Sequence, residues 1–241
     1  MNMWGITDRG AVREENQDSY TLIRLSDEQM VAVVCDGMGG ARAGNVASTM
    51  AVDEFALSFN AMWDVGERTA STLLETAAST ANEAVCRRSM SDSACFGMGT
   101  TMVAVLLDGG QATVLNEGDS RAYHITPEDI RQITRDHSLV EDLVRRGELT
   151  PEQARIHPNK NLITRALGSE TELHADLFRT EVEPGQYILL CSDGLSNVVS
   201  EQEILYEVLH GGEADQCCER LLNIAMKRGA PDNVTAVLMQ C

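Results

Sequence analysis

Two short apolar runs in this chain lead straight into aspartate and glycine. Met30–Cys35 (MVAVVC) is followed at once by Asp36-Gly37, and Tyr187–Cys191 (YILLC) by Ser192-Asp193-Gly194. An Asp-Gly pair is the ordinary signature of a turn, and taken singly each of these reads as one. A turn, however, needs no buried strand feeding it. A strand end fixes a carboxylate rigidly, and glycine lets backbone carbonyls and water come close. Two further segments share the design: Asn116-Glu117-Gly118-Asp119-Ser120, and Gly229-Ala230-Pro231-Asp232-Asn233 ahead of the last strand. Four converging carboxylates would repel one another or bind protons. Two divalent cations neutralise them, and hard oxygen ligands of this kind suit Mg²⁺ or Mn²⁺. A water bridging ions ~3.5–4 Å apart becomes a nucleophile at neutral pH.

The rest of the chain supplies the frame. Thr100–Leu107 and Gln111–Leu115 flank Asp108-Gly109-Gly110, a hairpin signal because these residues tolerate positive φ. Further strands are expected at Arg121–Ile125, Leu177–Val182, Tyr187–Cys191 and Val234–Met239, with a turn at Pro184-Gly185. From Val46, Met50, Phe55, Phe59 and Met62 recur at helical spacing, and a second helix over Glu67–Arg88 stacks Leu73, Leu74, Ala77, Ala81 and Val85. Ser138–Glu141, Thr150–Gln153 and Ser200–Glu203 read as capping boxes, with Pro151 at a first helical position. A last helix spans Glu213–Arg228 and ends at Gly229. The pattern predicts one α+β domain over residues 1–241, in which helices cover antiparallel sheets.

Charge and absent motifs exclude several classes. A net charge of -18 disfavours nucleic acid and anionic membranes as partners. The seven cysteines are odd in number and form no C-x-x-C, so a reduced cytoplasmic chain fits better than a disulfide framework. The first residues are too polar for a signal peptide, and no apolar stretch approaches the roughly 20 residues of a membrane span. No cysteine precedes an arginine by six positions, no Asp-x-Asp occurs, and neither G-x-x-x-x-G-K-[ST] nor G-x-S-x-G is present. His137 and His157 read as structural residues. Arg13 reads either as a phosphate-gripping guanidinium or as a surface ion pair.

Taken together, the motifs resemble the bacterial branch of the metal-dependent Ser/Thr protein phosphatases, the protein phosphatase 2C-like or PPM family. The resemblance rests on Thr7–Gly10 with Arg13–Asp18, Asp36–Gly40, Gly97–Thr101, Gly118–Arg121, Asp136–Leu139, Ile163–Gly168, Ser192–Leu195 and Asp232–Thr235, in the family's order along nearly the whole chain. It implies a four-layer sandwich, two central antiparallel β-sheets flanked by helix pairs. It implies metal contacts from Asp36, the Gly37 carbonyl, Asp193 and Asp232, with Asp119 and Asp193 at a third, weaker position. Asp18 and Asn233 match supporting roles, Arg13 the phosphate-binding arginine, and residues about 138–165 the flap. The implied cofactor is Mn²⁺ or Mg²⁺. The implied substrates are phosphoproteins of a cognate Ser/Thr kinase, met in the cytoplasm by a monomeric enzyme.

One departure stands out. After Asp36–Gly40 the family pattern continues with histidine and, four residues later, glutamate; here the residues are Ala41 and Asn45. The general acid is thereby left unassigned, with a metal-bound water as the default candidate. A silent member of this fold would have lost its metal aspartates or Arg13, and a plain cation-binding domain has no use for Arg13. Within residues 145–165, Arg145, Arg146, Arg155, Lys160 and Arg165, opposed by Glu148 and Glu152, give a local net of +3 and predict a patch for acidic phosphopeptides.

Overall fold

A strand whose every residue is apolar must be covered on both faces, and the two runs that lead into Asp-Gly are such strands. In the computed structural model, which describes all residues but Glu67 and only the backbone of Gly40, Ala41 and Arg42, they lie in the middle of two facing sheets. Strands β1 (Asn2–Asp8), β2 (Asp18–Arg24) and β3 (Gln29–Met38) precede helices α1 (Gly40–Trp63) and α2 (Ala70–Ser91). The short β4 (Gly99–Thr100) then leads into β5 (Met102–Asp108), β6 (Gln111–Glu117), β7 (Arg121–Ile125) and β8 (Ile130–Gln132). Helices α3 (Leu139–Arg145) and α4 (Pro151–Arg155) follow, then β9 (Asp176–Glu181) and β10 (Tyr187–Cys191). Helices α5 (Asp193–Ser196), α6 (Glu201–His210) and α7 (Cys217–Lys227) lead to β11 (Val234–Gln240).

One sheet has the order β1-β11-β10-β7-β8, the other β2-β3-β5-β6-β9 with β4 beside β3, and the pairings are antiparallel. Alternation along β3 divides the core. Met30, Ala32 and Val34 point between the sheets and meet Ile188, Leu190 and Val237. Val31, Val33 and Cys35 point outward beneath α1 and α2, against Phe55, Phe59 and Leu74. On the other side Leu189, Cys191 and Leu238 pack under α6 and α7 against Ile204, Val208 and Leu221. Helix pair, sheet, sheet, helix pair is the four-layer arrangement expected.

The hairpin turn falls where the glycines place it: Asp108 pairs with Gln111 across Gly109 and Gly110, both at positive φ. Thr150 and Ser200 close complete capping boxes; Ser138 accepts from the Glu141 amide at 3.3 Å, which is one half of a box. Three helix starts differ from the sequence reading. Helix α1 begins six residues before Val46, because its first turns are glycine-rich and seat on β3: a Cβ on Gly37 would stand 2.0 Å from the Gly44 carbonyl. The second helix begins after the Thr69 cap, and the start expected at Glu67 lies outside the described residues. The last helix is a 3-10 turn at Ala214–Gln216 followed by α7. Strands β1 and β2, not singled out from sequence, are only half-buried edge strands and carry too few apolar residues to announce themselves.

Candidate functional site

The two sheets bring the four Asp segments to one end of the sandwich. Asp36 lies inside β3, not past its end, opposite Asp18 of β2. Its amide donates to Thr101 Oγ1 at 2.9 Å, and its carbonyl accepts from the Thr101 amide at 2.8 Å and from Thr100 Oγ1 at 2.9 Å. Asp193 opens α5 immediately after β10, Asp119 sits in the turn from β6 to β7, and Asp232 directly precedes Asn233 and β11. Gly194 lets α5 lie against that last segment, since a Cβ there would stand 1.9 Å from the Asn233 carbonyl oxygen. Arg13, Asp36, Gly37, Asp119, Asp193, Asp232 and Asn233 line one cleft of about 510 Å³. Asp18 lies buried below it.

Each supporting residue has a visible task. Asp18 Oδ2 accepts from Ser192 Oγ and Thr235 Oγ1, both at 2.7 Å, which ties β2 of one sheet to β10 and β11 of the other. Asn233 Oδ1 accepts from the Gln17 amide at 2.8 Å, while its Nδ2 donates to the Arg9 and Glu15 carbonyls at 2.8 and 2.9 Å. That side chain therefore pins the loop carrying Arg13. Arg13 Nη2 donates to Asp232 Oδ2 at 2.7 Å, so its ion pair is made inside the cleft with a carboxylate of the cluster.

The cluster is electrostatically costly. Burial raises the Asp36 carboxyl well above the usual carboxylate range, and Asp18, Asp193, Asp119 and Asp232 push it further. Burial, reinforced by Asp193, lifts Asp119 to about 7. Asp18 reaches about 7 by burial, against the opposing hydrogen bonds of Thr235 and Ser192. Asp193 reaches about 6 through burial and then Asp232. Asp193 Oδ1 and Asp18 Oδ1 are buried with no hydrogen-bond partner among the described residues. Buried carboxylate oxygens of this kind want a cation or a proton. Among the described residues no three His, Cys, Asp or Glu side chains are already closed into a ligand group. The carboxylates share the cleft, but Asp232 is engaged by Arg13 and Asp193 Oδ2 by Asn197 Nδ2 at 3.0 Å. The donor chemistry fits hard divalent ions. The thiol beside the cluster does not compete as a nucleophile, since burial pushes Cys191 up to about 12.

Sequence reasoning missed Ser192, Thr235, Thr100 and Thr101, the hydroxyls that hold Asp18 and Asp36. Ser192 had a local signal, a hydroxyl between an apolar strand and an aspartate; Thr100, Thr101 and Thr235 have no aspartate beside them in sequence. His137 has the structural role expected: its Nδ1 accepts from the Gly118 amide at 3.1 Å, and Nε2 faces Asp176 Oδ2 at 3.3 Å, holding the turn that carries Asp119. His157 is likewise local, accepting from the Asn159 amide at 3.1 Å. The flap cations do not act as one patch. Arg145 pairs with Asp142 and Arg165 with Asp176, whereas Arg155 and Lys160 line a groove of about 440 Å³ that reaches Asp119 and Asp193. The side chain of Ala41 lies outside the described residues.

The family profile described as Protein phosphatase 2C matches residues 10–239. The chain belongs to the protein phosphatase 2C family. It is 37% identical over 242 residues to the serine/threonine phosphatase stp of Listeria monocytogenes, covering 97% of this chain and 93% of that one. The crystal structure of serine/threonine phosphatase Stp1 from Staphylococcus aureus superposes with a TM-score of 0.91 at 33% identity, over 99% of this chain and 94% of that one. The catalytic domain of phosphatase PstP, solved in complex with 2 manganese ions, superposes with a TM-score of 0.83 at 34% identity, over 98% and 96% of the two chains. This phosphatase is thus a protein-serine/threonine phosphatase with the two-sheet α+β fold of its relatives, acting on phosphoproteins. No helix among its described residues is long and apolar enough to cross a membrane.

Proposed function

We propose that the cleft hydrolyses phosphoserine and phosphothreonine with divalent cations held by Asp36, the Gly37 carbonyl, Asp193 and Asp232, and a third, weaker one by Asp119 with Asp193. The observation that carries this reading is the convergence of four aspartates in one cleft, with raised proton affinity at Asp36, Asp119 and Asp193 and a buried Asp193 carboxylate oxygen left without a donor. Mn²⁺ and Mg²⁺ both suit the oxygen donor set, and PstP, similar over nearly the whole chain, was solved with manganese. When bound, such ions neutralise the cluster and supply a water nucleophilic at neutral pH.

The chain's own residues then divide the remaining work. Arg13 leaves Asp232 for the substrate phosphate, which its fork matches with two parallel hydrogen bonds. Asn233 holds the Arg13 loop at the right distance. Asp18 keeps β2 and β3 in register with Ser192 and Thr235 beneath the ligands. The segment about 138–165 acts as a flap bordering the cleft. Pairing of β1 with β11 joins the two ends of the chain, which supports a single catalytic unit over 1–241. Opposition to a Ser/Thr kinase, in the cytoplasm and as a monomer, completes the proposal, in keeping with seven unbridged thiols.

The test is a Mn²⁺ titration followed by calorimetry and by turnover of a phosphothreonine peptide. Two tight sites and Mn²⁺-dependent turnover are expected. Turnover that survives exhaustive chelation would overturn the reading.

A further inference from the structure

Glu117 is the last residue of β6, two positions before Asp119, yet it serves a different space. It lines a cavity of about 660 Å³ that has no lining residue in common with the aspartate cleft. Its side chain is 4% exposed, and Oε2 has no hydrogen-bond partner among the described residues. A carboxylate oxygen buried without a donor is strongly unfavourable, so something must satisfy it. Arg165 and Asn82, two of the polar side chains of the cavity wall, have partners elsewhere, and the Arg165 charge also acts on Glu117. Arg165 Nη1 donates to the His174 carbonyl at 3.1 Å and to Asp176 Oδ1 at 3.2 Å. Asn82 Nδ2 donates to the Glu170 carbonyl at 3.0 Å, and its Oδ1 accepts from the Gly168 amide at 2.8 Å.

The remaining lining describes the missing partner. Two more carboxylates, Glu170 and Glu172, stand at the exposed rim, and Leu173 and Ala175 form an apolar wall of the same cavity. A bare metal ion fits poorly, because the volume is many times the roughly 30 Å³ of one water. Moreover, no ligand group of three acidic, cysteine or histidine side chains forms among the described residues. Three carboxylates against the single guanidinium of Arg165, together with an apolar wall, instead match a ligand with ammonium groups separated by methylenes. Each primary ammonium brings three donors and no acceptor, which suits a carboxylate with a free oxygen.

We propose that this cavity binds a linear organic polyamine, with one ammonium on Glu117, the methylene chain along Leu173 and Ala175, and a second ammonium at Glu170 and Glu172. The site is separate from the aspartate cleft and does not depend on what that cleft holds.

The experiment is calorimetric titration of the full chain with spermidine, in saturating Mn²⁺ so that the cleft is occupied. One spermidine per chain is expected. Glu117→Gln should weaken it at least about tenfold, the loss of a charge-assisted contact, and the Glu170→Gln/Glu172→Gln pair by a smaller factor. Ala175→Phe, which fills the cavity from its wall without touching a charge, should weaken it as well, and covers the case in which Glu117→Gln does not fold. Asp119→Asn should leave spermidine affinity unchanged. The proposal is overturned by unchanged affinity in both Glu117→Gln and Ala175→Phe, by loss of spermidine binding when Mn²⁺ fills the cleft, or by displacement of spermidine by millimolar Mg²⁺.

Discussion

The floor of the cleft and the flap beside it are built by different means. Asp36 and Asp193 follow the runs Met30–Cys35 and Ile188–Cys191, whose residues are buried, between the sheets and beneath the helices. The segment from Ser138 to Arg165 buries Val140 as its one hydrophobic side chain below a tenth exposure, and α4 buries none. What organises the flap is local: the Thr150 capping box, Pro151 at the helix start, the Ser138 cap and the Arg145–Asp142 pair. A fully buried Val or Leu contributes about 1.5–3 kcal/mol and a cap about 1 kcal/mol. The ligands therefore sit on the most strongly held part of the molecule, and the substrate-facing rim on the least. Substitutions on the floor should change chemistry with the fold intact; substitutions on the rim should change local order and substrate choice.

The largest effect expected is on the floor. Asp36→Asn or Asp193→Asn should lower kcat by on the order of 10³-fold or more, because ligands are lost while the core is untouched. Chelated protein carrying either change should unfold at the same temperature as the parent or higher, since a mutual repulsion is removed. Turnover within tenfold of the parent would break the assignment of the floor.

Arg13 sharpens the comparison from the loop between β1 and β2. Arg13→Ala should reduce kcat/KM by about 10–100-fold, the loss of one or two charge-assisted hydrogen bonds, with Mn²⁺ stoichiometry unchanged. Calorimetry and steady-state kinetics on one preparation measure both. An unaltered kcat/KM would reduce Arg13 to its ion pair with Asp232.

The pH dependence of stability separates the regions again. Asp18 and Asp119 at about 7 and Asp193 at about 6 bind protons more tightly folded than unfolded, where carboxyls titrate near 3.9. Between about pH 4 and pH 7 the folded state thus holds more protons, and stability of the metal-free protein falls as pH rises through that window. Chelated protein should melt higher at pH 5.5 than at pH 8, by roughly 2–4 °C for each kcal/mol recovered. Saturating Mn²⁺ should reverse the trend, because cations bind the ionised carboxylates. The flap adds only Glu141, whose carboxyl burial raises above its ordinary range, so Ser138→Ala should move the pH profile little.

The smallest effect belongs to the flap. Arg155→Glu with Lys160→Glu should lower kcat/KM for acidic phosphopeptides several-fold at low salt, and little at high salt. Arg145→Glu should do less, because that guanidinium is tied to Asp142. Hydrolysis of p-nitrophenyl phosphate measures the chemistry without the peptide and should hardly change. Equal losses on both substrates would assign Arg155 and Lys160 a structural role.

How much of this was legible from the residues follows from the range of the forces involved. Apolar runs, the Asp108–Gln111 hairpin, the Thr150 and Ser200 boxes and the Asp-Gly segments are set by neighbours a few positions apart, through period, positive φ and capping. They could be read directly, and with them the aspartates of the site. Strands β1 and β2 could not, because edge strands gain their order from a partner, β11 for one and β3 for the other. The hydroxyls of Ser192 and Thr235 came to Asp18 from 174 and 217 residues away, and Asp232 to Arg13 from 219. The division of the flap cations into paired Arg145 and Arg165 and groove-lining Arg155 and Lys160 was likewise invisible in a count of charge. Such contacts depend on how sheets and helices stack, and side chains so distant in sequence acquire their partners only when the layers close.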